Sequence, residues 1–380
     1  MRRASWVLAA LALVVTSCGA AEDAAQQTST TAAPQTAAPT TPAPSTTVLP
    51  TTTSSASTTT TTTAAPVDEG PLDFDFALVR GIEEPILDDG DSDDWDANFA
   101  FAPNVVFDGS TYHMFYSGWA RDSSIGIGYA SSVDGLSFTE HPDNPVATLL
   151  DDDPDTEAGR SVARIRDDGT WEMFIGEWID AKTQGNKIWY ATASDPTGPW
   201  QVSDEPIHEG AVGSWESRVV PQSLSEDGRI LYYDGVRLSD IQIGALVRQE
   251  DGSWLATDDP ATEDATDPIL TASSDGDDWD AGSVASPLVF ATESGFEMFY
   301  AGFWKGSRIS KSEYAMMGYA TSPDGINWER YEQNPVIELT NENGWLWLGA
   351  TRDGNSYNIY YAIKAGADGI GLITGTVSER

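Results

Sequence analysis

The chain has 380 residues, with 60 Asp and Glu against 20 Lys and Arg, which gives a net charge of −40 at pH 7. A surface of this sign repels phosphate backbones and anionic lipid headgroups, so we exclude a nucleic-acid partner and membrane docking through a folded domain. Fourteen Trp, thirteen Tyr and twelve Phe argue against a chain disordered throughout, and a single Cys excludes disulfide frameworks and cysteine zinc sites.

The first element in the chain is an export signal over residues 1–18. A basic start and an apolar run too short to cross a bilayer lead to the segment Val15–Cys18, which resembles a bacterial lipobox. This resemblance predicts lipidation at Cys18 and an exported protein held by lipid on the outer face of the bacterial cell membrane. The alternative is that Cys18 lies by coincidence in a removed peptide.

Residues 19–67 form a tract of Thr, Ala, Pro and Ser with almost nothing to bury. Such low-complexity tracts stay extended or disordered, so this segment is interpreted as a linker. The remaining residues, 68–380, contain nearly all the charged side chains and are predicted to form one folded domain. We expect this domain to be monomeric and to meet the membrane only through the lipid anchor.

An internal repeat organises the folded domain. A signature of an acid or Asn, a Pro and a branched apolar residue recurs at intervals of about sixty residues. Its five copies are Glu84-Pro85-Ile86, Asn144-Pro145-Val146, Glu205-Pro206-Ile207, Asp267-Pro268-Ile269 and Asn334-Pro335-Val336. Each unit contains short β-rich runs separated by Gly, Asp and Pro turns, without helical periodicity. Four strands per unit at this period predict an all-β, five-bladed β-propeller and disfavour a β-sandwich.

The last unit is too short for a fourth strand. The apolar segment 74–79 precedes the first signature and belongs to no unit. We therefore predict that this N-terminal segment is the outer strand of the fifth blade and closes the ring, which removes an exposed sheet edge.

Loops that precede the innermost strands of a propeller converge on one rim of the central channel. Four units have an acid in this place, 12 to 15 residues before the turn glycine: Asp96, Glu157, Glu216 and Asp280. Several carboxylates at one mouth suit glycosyl transfer, in which one acid protonates the leaving oxygen and another activates water or attacks. The neighbouring Arg160 and Arg218 are expected to pair with two of the acids and keep them ionised, while a more isolated acid rises in pKa.

The predicted catalytic residues are Asp96, Glu157 and Glu216, and the predicted substrate-binding residues are Trp95, Asn98, Arg160, Trp178, Trp215, Arg218, Trp279 and Asp280. The alternative is that the repeated Trp-acid pair is a packing device inherited by duplication, with the Trp wedged into the blades and the acid holding a loop. This alternative is favoured for Asp280, because its unit copies the first one so closely.

Residues 73–380 resemble the five-bladed propeller glycosidases, namely the arabinanase/β-xylosidase, invertase/levansucrase and mannoside-phosphorylase groups. The resemblance is carried by the segment 103–109, by the Ser-x-Asp-Gly turns at 132–135 and 322–325, and by the Asn-Pro-Val ends. It implies Asp96 as the base, Glu216 as the acid and Glu157 as the carboxylate that tunes the acid. The sequence departs from the arabinanase pattern at Ala102-Pro103, where that group has Asp-Pro.

The sequence therefore predicts an extracellular glycoside hydrolase-like protein that acts on oligo- or polysaccharide, with a non-catalytic glycan-binding surface lipoprotein as the alternative. Three scattered His give neither a zinc triad nor a Ser-His-Asp set. The acidic runs 88–94 and 151–155 are weak candidates for Ca²⁺ because neither has EF-hand spacing, and they are interpreted mainly as solvated loops. No cofactor is expected.

Overall fold

The computed structural model describes residues 71–379, apart from 82, 123, 150–155, 180–182, 263, 306–314, 339–346 and 364–368. In this part of the chain every regular element is a β-strand, and no helix is long and apolar enough to cross a membrane. The predicted signal with Cys18 and the predicted linker, residues 1–67, lie outside the described residues and stay predictions.

The strands are short and follow one another at the spacing that the repeat predicts. In chain order they are β1 (Leu72–Arg80), β2 (Phe99–Phe107), β3 (Tyr112–Trp119), β4 (Ile125–Ser132), β5 (Thr139–Glu140), β6 (Thr156–Ile165), β7 (Trp171–Ile179), β8 (Thr183–Ala193), β9 (Gln201–Val202), β10 (His208–Glu209), β11 (Arg218–Leu224), β12 (Ile230–Arg237), β13 (Asp240–Arg248), β14 (Trp254–Ala256), β15 (Ser283–Thr292), β16 (Gly295–Phe303), β17 (Ala315–Ser322), β18 (Glu329–Arg330), β19 (Ile337–Glu338), β20 (Leu348–Asp353), β21 (Ser356–Ala362) and β22 (Ile370–Glu379).

These strands form five separate antiparallel sheets, which are the blades of a propeller. Blades 1 to 4 begin with the inner strands β2, β6, β11 and β15, and each continues outward through the next strands along the chain. Blade 5 has the order β20, β21, β22 and β1 from the inside outward. The predicted five-bladed propeller is confirmed, and the sandwich alternative is excluded because no sheet is shared between units.

Ring closure by the N-terminal strand is also confirmed. β1 pairs antiparallel with β22 in a register that runs from Leu72 opposite Glu379 to Arg80 opposite Leu372. Phe74 and Phe76 pack against the cluster between blades 4 and 5, with Phe76 and Phe299 ring centroids 5.7 Å apart. The alternation of half-buried and exposed side chains ends after Phe76, so Leu78 is 46% exposed.

The Asn-Pro-Val signature recurs because its Asn fixes the chain to the third strand of a blade. Asn144 Oδ1 accepts a hydrogen bond from the backbone N of Tyr129 at 2.9 Å, and its Nδ2 donates to the carbonyl of the same residue at 3.2 Å. Asn334 makes the same pair of bonds with Tyr319 in blade 4. The signature therefore holds the segment that leaves each of these two blades.

The apolar core lies mainly between neighbouring blades. Phe115 of blade 1, for example, meets Trp171 of blade 2 with ring centroids 5.8 Å apart, inside a cluster that both blades supply. Burial of such faces stabilises the fold by about 25 cal/mol for each Å² of apolar surface removed from water. Close packing between blades fixes the inner strands around the axis, and we call the end at which these inner strands begin the upper rim.

Candidate active site

The loop before the inner strand of blade 1 packs its Trp onto its own sheet. The Trp95 ring lies against Gly118 of β3 and Gly128 of β4, where a Cβ would overlap the ring. Blades 3 and 4 repeat the arrangement, with Trp215 on Gly235 and Gly244, and Trp279 on Gly302. These contacts support the packing interpretation of the three Trp residues rather than their predicted role as platforms for sugar rings.

The acid beside each of these Trp residues is buried against a Tyr of the second strand in its own blade. The three pairs are Asp96 with Tyr116 at 3.3 Å, Glu216 with Tyr233 at 2.5 Å, and Asp280 with Tyr300 at 3.2 Å. Each acid is at most 2% exposed. A buried carboxylate is costly unless it is hydrogen-bonded, so the tyrosine contact gives each acid a structural role inside its blade.

The neighbours of Asp96 in blade 1 and of Glu216 in blade 3 shift the pKa values of these two acids in opposite directions. Burial, followed by repulsion from Glu140, raises the pKa of Asp96 to about 6. Burial opposes ionisation of Glu216 as well, but hydrogen bonds from His208, Tyr233 and Thr266 outweigh it and lower the pKa of Glu216. At neutral pH an ionised Glu216 cannot donate a proton, so these environments are opposite to the implied roles of Asp96 as base and Glu216 as acid.

Asn98 and Arg218, two predicted binding residues, hold the chain where the second strands end. Asn98 Nδ2 donates to the carbonyl of Ala120 at 2.9 Å, directly after β3. Arg218 donates from Nη2 to the carbonyl of Leu238 at 2.7 Å, directly after β12. The groups that keep Glu216 ionised are thus His208, Tyr233 and Thr266, and the expected pairing of Arg218 with Glu216 is not what lowers this pKa.

Blade 2 departs from the pattern of the other blades. In blade 1 Tyr116 of the second strand is paired with Gly128 of the third strand, and in blade 2 the residues at these two positions are Ile175 and Trp189. The aromatic ring at this place in blade 2 therefore comes from the third strand. Glu157 lies within β6 itself, and its Oε1 accepts a hydrogen bond from the backbone N of Ile125 in blade 1 at 3.2 Å. The alignment of Glu157 with Asp96 in sequence is therefore not a structural equivalence.

Arg160 lies on the propeller axis and not at a substrate-binding surface. Its guanidinium donates to the carbonyls of Pro103 (2.9 Å), Pro221 (3.3 Å), Gln222 (3.4 Å) and Leu348, which belong to the inner strands of blades 1, 3 and 5. The side chain is 1% exposed, and burial lowers the pKa of Arg160 to about 9. The structure thus places the Arg160 donors on backbone carbonyls, away from the predicted partner Glu157, and the predicted role in binding substrate stays a prediction.

Asp234 of β12 is a buried acid that the sequence did not single out. Its Oδ1 accepts a hydrogen bond from the backbone N of Ser286 at 2.9 Å, and its Oδ2 accepts one from Gln222 Nε2 at 2.8 Å. Burial raises the pKa of Asp234 to about 8, against the attraction of Arg160. Asp234 thereby ties blade 3 to the bulged inner strand of blade 4, where Ser286 has a φ of 53°. No turn or repeat position in the sequence signals this contact.

Aromatic side chains from three blades meet just above Arg160, at the upper rim. Phe101 of β2 has its ring centroid 5.1 Å from that of Trp347, which precedes β20, and 6.4 Å from that of Trp178 in β7. Trp119 and Phe99 extend the group, which packs as one cluster. We call these five residues the mouth cluster. Of its members, Trp178 is among the predicted substrate-binding residues, and the grouping itself was not predicted because contacts between blades are not encoded locally.

Parts of Phe99, Trp119 and Trp347 stay accessible, whereas Phe101 and Trp178 are buried beneath them. Concave sites for uncharged organic ligands are lined mainly by aromatic and apolar side chains with a few polar groups. The mouth cluster has this chemistry. Glu157 pairs with Trp178 across β6 and β7, which brings a carboxylate to the same part of blade 2.

No group of three or more His, Cys, Asp or Glu is placed to hold a metal ion in the ranges that the structure describes. The acidic run 88–94 contains an internal hydrogen bond, in which the backbone N of Asp91 donates to Asp94 Oδ2 at 2.7 Å. The run 151–155 lies outside the described residues. The expectation that the protein needs no cofactor stays a prediction.

Among curated proteins, the chain is similar to a β-1,2-mannobiose phosphorylase of Thermoanaerobacter, with 26% identity over 156 residues. This alignment covers 36% of the chain and 50% of the relative, so the chain spans about half the length of the curated relative that it matches. No protein-family model matches the chain.

Solved structures resemble the chain over most of its length. A candidate glycoside hydrolase from Parabacteroides distasonis has a TM-score of 0.58 at 13% identity and covers 79% of this chain and 96% of its own. A mannoside-phosphorylase family member, from a family containing glycoside hydrolases that target β-1,2 mannosidic linkages in Candida mannan, has a TM-score of 0.56 at 13% identity, covering 80% and 93%. A glycosyl hydrolase from Bacteroides ovatus has a TM-score of 0.53 at 14% identity, covering 74% and 85%. At these identities the likeness shows a shared five-bladed propeller fold.

Proposed function

We propose that the protein is a glycosidase-like propeller that binds an oligo- or polysaccharide at the upper rim and cleaves its glycosidic bonds there. The observation that carries this proposal is the mouth cluster, in which aromatic rings from three blades converge near the Arg160 side chain on the propeller axis. Flat aromatic faces with a polar border suit the apolar faces and hydroxyl edges of sugar rings. The fold shared with glycoside hydrolases and mannoside phosphorylases adds support.

Cleavage needs one carboxyl that protonates the leaving oxygen and a second group that activates water or attacks the sugar. Among the three predicted catalytic acids, we favour Glu157, because it lies across from Trp178 at the mouth cluster. Asp96 and Glu216 would have to leave Tyr116 and Tyr233 to reach a sugar. We keep both as proposals, with Asp96 as the better proton donor of the two.

The test is release of reducing ends from a panel of aryl glycosides and plant and microbial polysaccharides, β-mannosides included. We expect Glu157→Gln to lower kcat by at least about a hundredfold, on the scale of general acid–base catalysis, with an unchanged melting temperature. Glu250→Gln, an exposed position at the far end of blade 3, is the matched control and should keep wild-type activity. Wild-type turnover by Glu157→Gln would refute the role of Glu157.

A second candidate function is glycan binding without hydrolysis. It is favoured by Ala102, which stands where the arabinanase group has an Asp, and by the burial of Asp96 and Glu216 in their own blades. This candidate predicts saturable binding to a polysaccharide in affinity electrophoresis, with no reducing ends released from any member of the panel.

We further propose that the protein is exported, lipidated at Cys18 and monomeric. The resemblance of the segment Val15–Cys18 to a lipobox supports lipidation. Metabolic labelling with a radioactive fatty acid should mark the wild-type chain and not a Cys18→Ala variant. Equal labelling of the two chains would contradict lipidation at Cys18.

A further inference from the structure

The duplicated acid–tyrosine motif differs between blades 1 and 4 at a single position of opposite charge. In blade 4, Arg330 Nε donates to Asp280 Oδ2 at 3.0 Å and lies 3.2 Å from the Tyr300 hydroxyl, while Asn334 Nδ2 lies 3.4 Å from that hydroxyl. Arg330 is the second residue of the outer strand β18, and Glu140 is the second residue of the outer strand β5 in blade 1. Blade 1 therefore has a carboxylate where blade 4 has a guanidinium.

In blade 1 the Tyr116 hydroxyl contacts two carboxyl groups but has only one hydrogen atom to donate. The Tyr116 hydroxyl lies 3.3 Å from Asp96 Oδ2 and 3.0 Å from Glu140 Oε2, and it accepts a hydrogen bond from Asn144 Nδ2 at 3.2 Å. A phenol has one hydrogen to donate, and an ionised carboxylate has none. Tyr116 can thus be hydrogen-bonded to both carboxyls only if one of them is protonated and donates to the phenol oxygen.

Among the described residues, no positive charge is paired with Asp96 or Glu140 to take the place of this proton. Asp94 adds a third negative charge that acts on both carboxyls. Within the described residues, the ion pairs include neither Asp96 nor Glu140, whereas Asp280 has Arg330 and Glu216 has His208. Burial, then repulsion from Glu140, raises the pKa of Asp96 to about 6, and burial raises the pKa of Glu140 as well.

We propose that Asp96 and Glu140 form a proton-binding site in blade 1, in which one shared proton takes the place of the Arg330 guanidinium of blade 4. With the proton bound, Tyr116 joins the loop before β2 to the outer strand β5. Without it, the two carboxylates repel each other, and the exposed Glu140 side chain turns to solvent. The outer edge of blade 1 is then attached in acid and loosened at neutral and alkaline pH. This inference concerns the stability of blade 1 and holds whether or not Asp96 also takes part in catalysis.

The direction of the pH effect follows from linkage. Because the pKa of Asp96 is raised from 3.8 to about 6 in the folded protein, the native state binds this proton about a hundredfold more tightly than the unfolded chain. The resulting stabilisation is complete below the unfolded value of 3.8 and is lost as the pH rises through about 6.

The experiment compares the melting temperatures of wild type, Glu140→Gln and Glu140→Arg between pH 4.5 and pH 8. Both variants remove the need for the extra proton, so we expect them to melt above wild type at pH 8 and to lose this advantage near pH 5. Glu329→Gln and Glu329→Arg change the net charge equally on the outer strand of blade 4, and they control for general relief of repulsion. An advantage of the Glu140 variants that is the same at pH 5 and pH 8, or that the controls share, would overturn the proposal.

Infrared spectroscopy gives a second readout that does not depend on stability. The difference between the wild-type spectra at pH 5 and pH 7 should contain the carbonyl band of a buried protonated carboxyl, because Asp96 loses its proton in this interval, whereas Asp234, with its pKa raised to about 8, stays largely protonated and cancels. Asp96→Asn and Glu140→Arg should both lack this band. Its persistence in both variants would assign the proton elsewhere and contradict the shared site.

Discussion

Removal of the closing strand is the perturbation whose energetic cost the structure defines best. β1 adds the outermost strand to blade 5 through a continuous antiparallel ladder with β22. Phe74 packs against Tyr319 and Tyr331 with ring centroids 5.2 and 5.6 Å away, and Phe76 meets Phe299 at 5.7 Å. The strand therefore joins the last blade to blade 4 as well as completing its own sheet.

Truncation of a fully buried Phe to Ala costs about 3–5 kcal/mol. Phe74 and Phe76 are partly buried, so we expect the double variant Phe74→Ala/Phe76→Ala to lose about 3–5 kcal/mol in total. This is a large share of a typical unfolding free energy of about 5–15 kcal/mol. At about 2–4 °C per kcal/mol, the melting temperature should fall by roughly 6–20 °C.

The assay is thermal melting followed by circular dichroism. The double variant and a chain that begins at Arg80 should both melt well below a chain that begins at Asp68. Leu78→Ala is the matched control, because this side chain is 46% exposed and should change stability by less than about 0.5 kcal/mol. Equal midpoints for the chains that begin at Asp68 and Arg80 would refute the closing role of β1.

Three further predictions concern buried groups. Glu172→Gln should cost about 3–5 kcal/mol in denaturant unfolding, because Glu172 is fully buried and bonded to three guanidinium groups. Burial opposes ionisation of Glu172, but hydrogen bonds from Arg166, Tyr190 and Arg164 lower its pKa to about 2. In wild type this stabilisation is therefore present above pH 4.5 and lost as the pH falls toward 2. If the loss of unfolding free energy at acid pH were the same in wild type and in the variant, this role of Glu172 would be contradicted. Arg160→Met should destabilise by at least about 3 kcal/mol, since it leaves backbone carbonyls of three blades without donors, and an unaltered urea midpoint would exclude this role. Gly118→Ala should lower the melting temperature by the equivalent of about 1–3 kcal/mol, because its Cβ overlaps the Trp95 ring; wild-type stability would contradict the packing role of Trp95.

Blade number, strand order and ring closure were predictable because each depends on a pattern that the sequence repeats. The Asn-Pro-Val ends recur since Asn144 and Asn334 make the same two backbone bonds in their blades. The segment 74–79 was assigned to blade 5 because the last unit lacked a strand. The exposure of Leu78 was not predictable, because the alternation of half-buried and exposed side chains along β1 ends after Phe76 without a local signal in the sequence.

The site was less predictable, because a side chain's partner is set by contacts distant in sequence. Arg160 lies in the same strand as Glu157, β6, yet its donors reach carbonyls up to 188 positions away. Glu157 and Asp96 stand at similar distances before a turn glycine, but blade 1 has a Tyr beside its acid and blade 2 has Ile175 in the position of that Tyr. Position within a repeat therefore identifies equivalent backbone, whereas the chemistry depends on which neighbours each blade has changed.

The most direct test of the proposed function is calorimetric titration of the glycan panel into wild type and into the double variant Trp119→Ala/Trp347→Ala, which removes two of the accessible rings of the mouth cluster. We predict saturable binding by wild type to at least one glycan, and an affinity at least about tenfold weaker in the double variant, equivalent to about 1.4 kcal/mol or more. Leu255→Ala, an exposed position on the outer strand of blade 3, should bind as wild type does. Undiminished binding by the double variant, or no binding to any glycan, would contradict a carbohydrate site at the mouth cluster.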